Sequence, residues 1–179
     1  MAEINHPVEG EKPVLALDID GVFSVLTRTP PKGFVLHPRP GNVSEYYNPA
    51  HGKWIKEFLP SFEAVYMTSH RSHSHEDIGR LLGLPELDWV NFFGFNEPND
   101  ESLNRERRPA LERLFIDRPL VWIDDDLEEI DFAWASQRTE AGTETFVIKT
   151  HFETGLERAH IDEIHQWYGN LATSRLEEN

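Results

Sequence analysis

A chain of 179 residues fits one globular domain around a single core, and its lack of cysteine excludes disulfides and thiolate metal ligands. A formal charge of -15 at pH 7 repels polyanions at long range, so nucleic acid is a disfavoured partner unless a basic patch or a bound cation reverses the local sign. No apolar run nears the ~20 residues of a membrane span, and the polar start from Met1 to Pro13 lacks the regions of a signal peptide, so a cytoplasmic protein with no membrane partner is expected.

One domain over 1–179 is expected, with a core from about 13 to 172 and frayed ends, Met1 to Lys12 and the last six residues from Ser174. Val14-Leu15-Ala16-Leu17 is a short apolar run that stops abruptly at Asp18-Ile19-Asp20-Gly21, as a buried strand does at a polar sheet edge. Residues 24 to 47 are rich in proline and glycine and fit neither period, which suggests a long loop or hairpin over the site. Asn48-Pro49 then opens a helix carrying Trp54, Ile55, Phe58 and Leu59. A second strand, Ala64 to Met67, runs into Thr68-Ser69. Ser74 reads as the N-cap of a helix from His75 to Leu82, with Gly83 after it, and Leu87 to Phe93 is a weaker strand. Pro109 opens a helical stretch through Phe115, and Leu120 to Ile123 is a strand running into Asp124-Asp125-Asp126. Glu128 to Glu140 is helical, Glu144 to Lys149 is a strand, and Ile161, Ile164, Tyr168 and Leu171 mark the packed face of a last helix.

Strands alternating with helices predict a three-layer α/β domain with a central parallel sheet. In such sheets ligands sit at the carboxyl ends of the strands, where Asp18 and Asp20, Thr68 and Ser69, and Asp124 to Asp126 all fall. Carboxylates crowded at one edge repel one another, and a cation resolves the conflict. Hard oxygen ligands suit magnesium, with Asp18 and Asp125 as natural donors. Asp18 can also attack phosphorus as a nucleophile. Asp20, on the same side if the chain stays extended, can protonate the leaving oxygen and later take a proton from water. Gly21 lets the chain turn away, while Thr68 and a basic side chain hold the phosphoryl oxygens.

Asp18-Ile19-Asp20-Gly21-Val22, Tyr66-Met67-Thr68-Ser69 and Trp122-Ile123-Asp124-Asp125 resemble, in order, the first, second and fourth motifs of the haloacid dehalogenase superfamily. The resemblance spans roughly Val14 to Ile148. The run Arg118 to Leu127, with Asp131, Trp134 and Ala135, is also similar to small members common in actinobacteria. The resemblance implies a Rossmann-like core, a magnesium ion held among Asp18, Asp20, Asp124 and Asp125, and phosphatase activity with Asp18 and Asp20 catalytic. It also implies phosphoryl contacts from Thr68 and Ser69. The third motif of the family is normally a lysine, and none occurs between Lys56 and Lys149; Arg107 is the substitute that aligns best, with Arg105 and Arg108 close by. Arginine keeps the charge but exchanges a point ammonium for a planar fork. The spacing from Gly21 to Thr68 leaves no room for a large cap domain, so an open site is expected, with 24–47 as at most a modest lid.

Plainer readings exist for several of these residues. Asp126 fits a helix N-cap, and the acidic triplet fits a first helical turn. His70, His73 and His75 suit a solvated loop better than a zinc site, and Trp54, Trp122, Trp134 and Trp167 suit core packing. Arg105, Arg107 and Arg108 alternate with glutamates and lack the interleaved aromatics of a nucleic-acid patch. The leading expectation is a magnesium-dependent phosphomonoesterase acting on a phosphorylated small molecule or macromolecule. The alternatives are a catalytically weakened phospholigand-binding domain and a nucleic-acid end-processing phosphatase.

Overall fold

Four apolar residues without polar alternation are stable as a strand only where both faces are covered, and Val14–Leu17 lies in the interior of a sheet with all four residues buried. The structure, a computed structural model, describes residues 3–4, 12–37, 45–67, 74–90 and 103–177. Its elements in chain order are β1 (Glu3–Ile4), β2 (Val14–Leu17), β3 (Ser24–Leu26), β4 (Val35–Leu36), β5 (Glu45–Tyr47), α1 (Ala50–Lys56), β6 (Glu63–Tyr66) and α2 (Ser74–Leu81). They continue as β7 (Asp88–Val90), α3 (Leu103–Leu114), β8 (Leu120–Asp124), α4 (Glu129–Glu140), β9 (Thr145–Lys149) and α5 (Arg158–Glu177). The main sheet has the order β1-β7-β6-β2-β8-β9 and every pairing in it is parallel, five strands with the two-residue β1 added at one edge.

Strand parity divides the core between the two faces of this sheet. Leu15, Leu17, Ala64, Tyr66, Val121 and Ile123 meet Ile55, Ile78, Ile161 and Ile164, which brings α1, α2 and α5 to one face. Val14, Ala16, Val65, Leu120 and Trp122 meet Ala110, Leu111, Leu114, Trp134 and Ala135, which brings α3 and α4 to the other. The result is the expected α/β arrangement of a parallel sheet flanked by helices, consistent with a Rossmann-like fold. No helix among the described residues is long and apolar enough to cross a membrane.

The order of the strands also locates a crevice. From β2 the chain steps to β6 and β7 on one side, then α3 carries it across the opposite face to β8 on the other side of β2. A reversal of direction joined to a change of face keeps the crossovers of one hand. Above the carboxyl ends of β2 and β8 the chain therefore leaves in diverging directions, which is where open α/β sheets bind ligands.

Several local expectations are corrected. Glu3–Ile4 is a strand pairing with Trp89–Val90, and Ile4 joins the α3 side of the core; two residues carry no periodicity to read. α5 continues to Glu177, past the expected fraying point. Ser74 is the first residue of α2 instead of preceding it. Pro109 lies inside α3 and does not open it. A proline there removes one helical hydrogen bond at a cost of about 3 kcal/mol. Leu111 and Leu114, fully buried, contribute ~1.5–3 kcal/mol each and offset that loss. Asp126 does not cap α4. Its N–H donates to Asp124 Oδ1 (3.0 Å) instead, and the cap moves to Glu128, whose N–H donates to Asp131 Oδ2 (2.9 Å). Residues 24–47 include a small antiparallel sheet of order β3-β5-β4, so the hairpin alternative fits better than a plain loop.

Candidate active site

Asp18 follows β2 directly, and its backbone N–H extends the ladder to the carbonyl of Ile123 (3.0 Å). Residues 14 and 16 face α3, and parity sends the Asp18 side chain the same way. It is 1% exposed; Oδ1 accepts from the Ile19 N–H (2.7 Å) and Oδ2 lies 2.8 Å from Arg107 Nη1. Asp124, the last residue of β8, shares the parity of Leu120 and Trp122 and reaches the same spot from the neighbouring strand. Its Oδ2 accepts from Arg107 Nη1 and from the indole N–H of Trp122 (3.1 Å).

Arg107 reaches both carboxylates from α3. Residues 107, 110, 111 and 114 recur at helical spacing and all four are buried, so Arg107 sits at the carboxylate end of an otherwise apolar stripe. Arg108, next along the helix, turns elsewhere: its Nε pairs with Asp131 Oδ1 (3.2 Å) in the first turn of α4.

Asp125 lies over the turn that follows Asp18. A Cβ added to Gly21 would sit 2.1 Å from Asp125 Cγ, and Gly21 has φ +65°, so only glycine serves there on both counts. Thr150, just past β9, ties this turn to β8 by donating its hydroxyl to the Gly21 carbonyl (2.7 Å) and its N–H to the Asp124 carbonyl (3.1 Å). Asp20 is half-buried and forms a bridge with Ser24 across the turn. The Ser24 hydroxyl donates to Glu45, whose other oxygen lies 3.3 Å from His37 Nδ1, which anchors the small sheet to the same turn.

The charge balance of this cluster is unequal. Burial pushes the Asp18 carboxyl well above its ordinary range; Arg107 opposes that shift, while Asp124 and Asp20 add to it. Asp124 is raised by burial against the pull of Arg107, and Asp125 is pushed up to about 6 by burial and by Asp124 and Asp126. Burial works against the charge of Arg107, yet Asp18 and Asp124 outweigh it and raise its pKa. One guanidinium thus faces three carboxylates. Asp18, Asp124 and Asp125 each offer an oxygen, all within 4.8 Å of one another. An all-oxygen donor set with surplus negative charge fits a hard divalent cation.

Asp18, Asp124, Asp125 and Arg107 are therefore brought together, with Asp20 on the adjoining turn and outside the group of three. Thr68 and Ser69 lie outside the described residues, as do His70, Arg71 and His73. Two contributors escaped the sequence reading. Thr150 gives no signal as a lone threonine after a strand. Trp122 reads in the sequence as a packing residue, although its position two residues before Asp124 puts both on one strand face. Compared with known proteins, the chain matches no protein-family model and no curated protein sequence.

Proposed function

We propose that this chain is a magnesium-dependent phosphohydrolase of the haloacid dehalogenase type, cleaving phosphomonoesters through an aspartyl phosphate on Asp18. The observation that carries the reading is Arg107 Nη1 lying 2.8 Å from Asp18 Oδ2, with Asp124 and Asp125 beside them at the carboxyl ends of adjacent strands. A structural ion pair does not account for this set. Each buried ion loses several kcal/mol of hydration, and one arginine does not balance three carboxylates, so without a cation the cluster has to take up protons, the direction in which Asp18, Asp124 and Asp125 are all shifted.

Asp18 and Asp125 would hold the magnesium, with Asp124 adding negative charge beside them, and the ion when bound would offset the charge of the carboxylates and of the phosphoryl oxygens. In the first step an Asp18 carboxylate oxygen bonds to phosphorus as the bond to the ester oxygen breaks, and Asp20 gives that oxygen a proton. In the second, water attacks phosphorus, Asp20 takes its proton, and the bond to Asp18 breaks to return the carboxylate and free phosphate. Arg107 supplies positive charge beside the nucleophile, where positioning and charge stabilisation do most of the work. Thr68 and Ser69 are proposed as phosphoryl donors, and the β3-β5-β4 sheet as the site's small lid.

A second reading, a phospholigand-binding domain with little turnover, is favoured by Arg107 itself. A fork engaged by two carboxylates takes the place of a mobile ammonium. Phosphate release from a panel of sugar phosphates, nucleotides, phosphopeptides and 3'-phosphorylated oligonucleotides, with magnesium or EDTA, separates the two. The phosphohydrolase reading expects magnesium-dependent turnover on one class of ester, lost in Asp18→Asn. Binding of phosphate compounds without turnover on any of them would favour the second.

A further inference from the structure

Asp124 receives donors from three directions: the Arg107 guanidinium from α3, the Trp122 indole from within β8, and the Asp126 N–H from the following turn. A carboxylate offers about four lone-pair sites, so a fully buried Asp124 has little left for a cation. Asp125, half-buried above Gly21, is better placed. The Trp122 ring is also wedged. Trp134 meets it edge-on at 6.2 Å and 81°, and the Arg138 guanidinium lies 5.4 Å from the Trp134 ring. Arg138 Nη2 is itself fixed by the carbonyls of Phe115 (2.7 Å), Ile116 (3.1 Å) and Arg118 (3.0 Å). A phenylalanine would keep an apolar ring here, though a smaller one; what tryptophan adds besides volume is a buried N–H that must find an acceptor.

We propose that Trp122 is a positioning residue: its indole N–H fixes the Asp124 carboxylate so that Asp124 shares Arg107 with Asp18 and leaves the cation to Asp18 and Asp125. The sharing matters because a guanidinium released from Asp124 is free to close bidentate on Asp18 and occupy both of its oxygens, including the one that attacks. The effect on turnover rests on the phosphohydrolase reading. The geometric half does not.

The test uses the full chain as wild type, Trp122→Phe, Asp124→Asn and the double variant, with kcat, KM, magnesium affinity by calorimetry, and the indole N–H resonance of Trp122 assigned by nuclear magnetic resonance. Trp122→Phe keeps a ring in the core and should lower kcat by about 10-fold or more, the effect of one charge-assisted hydrogen bond, while KM and the magnesium Kd stay within about 2-fold. In the Asp124→Asn background the same change should have no further effect on kcat, since a residue that acts through Asp124 has nothing left to act on. The indole resonance should shift on Asp124→Asn. An unchanged kcat in Trp122→Phe, or effects that simply multiply in the double variant, would overturn the proposal. Should wild type release no phosphate from any ester, the phosphohydrolase reading fails. The positioning claim is then decided by the indole resonance, which needs neither turnover nor the Phe variant to fold, and an unshifted resonance refutes it.

Discussion

At the scale of single residues, the turn after Asp18 has the least tolerance. Gly21 combines φ +65° with an Asp125 carboxyl where a side chain would begin, so Gly21→Ala cannot be absorbed by a rotamer change alone. The expected outcome is a stability loss of roughly 1–3 kcal/mol in urea unfolding, accompanied by at least ~10-fold weaker magnesium binding as Asp125 is displaced. Unaltered magnesium affinity in a folded Gly21→Ala protein would show that Asp125 does not serve the cation. Asp125 also carries a pH signature. Its folded pKa, about 6, lies above the unfolded value of about 4. Without metal, the folded state therefore holds the extra proton between those values. The stability this gives is fully present below pH 4 and is lost as pH rises through 6. With half the group in reach of solvent the loss is on the order of 1 kcal/mol. Asp125→Asn should remove it, making the variant the more stable protein in EDTA at pH 7 and the less stable one in saturating magnesium; the same ranking in both buffers would contradict this account.

At the scale of elements, the legible parts were those whose pattern matched their burial. β2, β6 and β8 are short, mainly apolar runs covered on both faces, and each ends within a residue or so of the step to acidic or polar residues. The beginning of α3 was misread because proline preference was weighed above the stripe 107, 110, 111, 114, and Arg107 does not look like a core residue until its two carboxylates are placed beside it. The Asp124-Asp125-Asp126 run is only partly legible: the sequence singles out Asp125 as a donor and Asp126 as a cap, but the way the chain turns after β8 sends the Asp126 N–H to Asp124 and moves the cap to Glu128. The join between α1 and the small sheet offers a further test. His51 in α1 is fully buried among the rings of Phe23 (6.1 Å), Phe34 (5.5 Å) and Trp54 (5.2 Å), and burial lowers its pKa to about 4. The unfolded chain takes up this proton below pH ~6.5 while the folded chain refuses it until about 4, so stability falls across that window by up to about 3 kcal/mol. His51→Phe should flatten the part of the acid limb between pH 6.5 and 4 that this residue causes. Parallel wild-type and variant curves over that window would mean that His51 is hydrated or paired as it titrates.

At the scale of the whole molecule, strand order does what no single motif could. The reversal at β2 brings Asp18 and Asp124 side by side, and the face change through α3 brings Arg107 to them from a segment more than eighty residues after Asp18. A net charge of -15 attracts cations and repels polyanions at long range, which favours the proposed cation over a nucleic acid as a partner. The central claim is that Asp18 becomes covalently phosphorylated. It is tested most directly by acid-quenching the protein during turnover of a phosphomonoester in magnesium and locating any phosphoryl adduct by peptide mass spectrometry. The account predicts an adduct on Asp18 that appears only with magnesium and disappears in Asp18→Asn. Sustained turnover with no adduct, or an adduct on another residue, would contradict it.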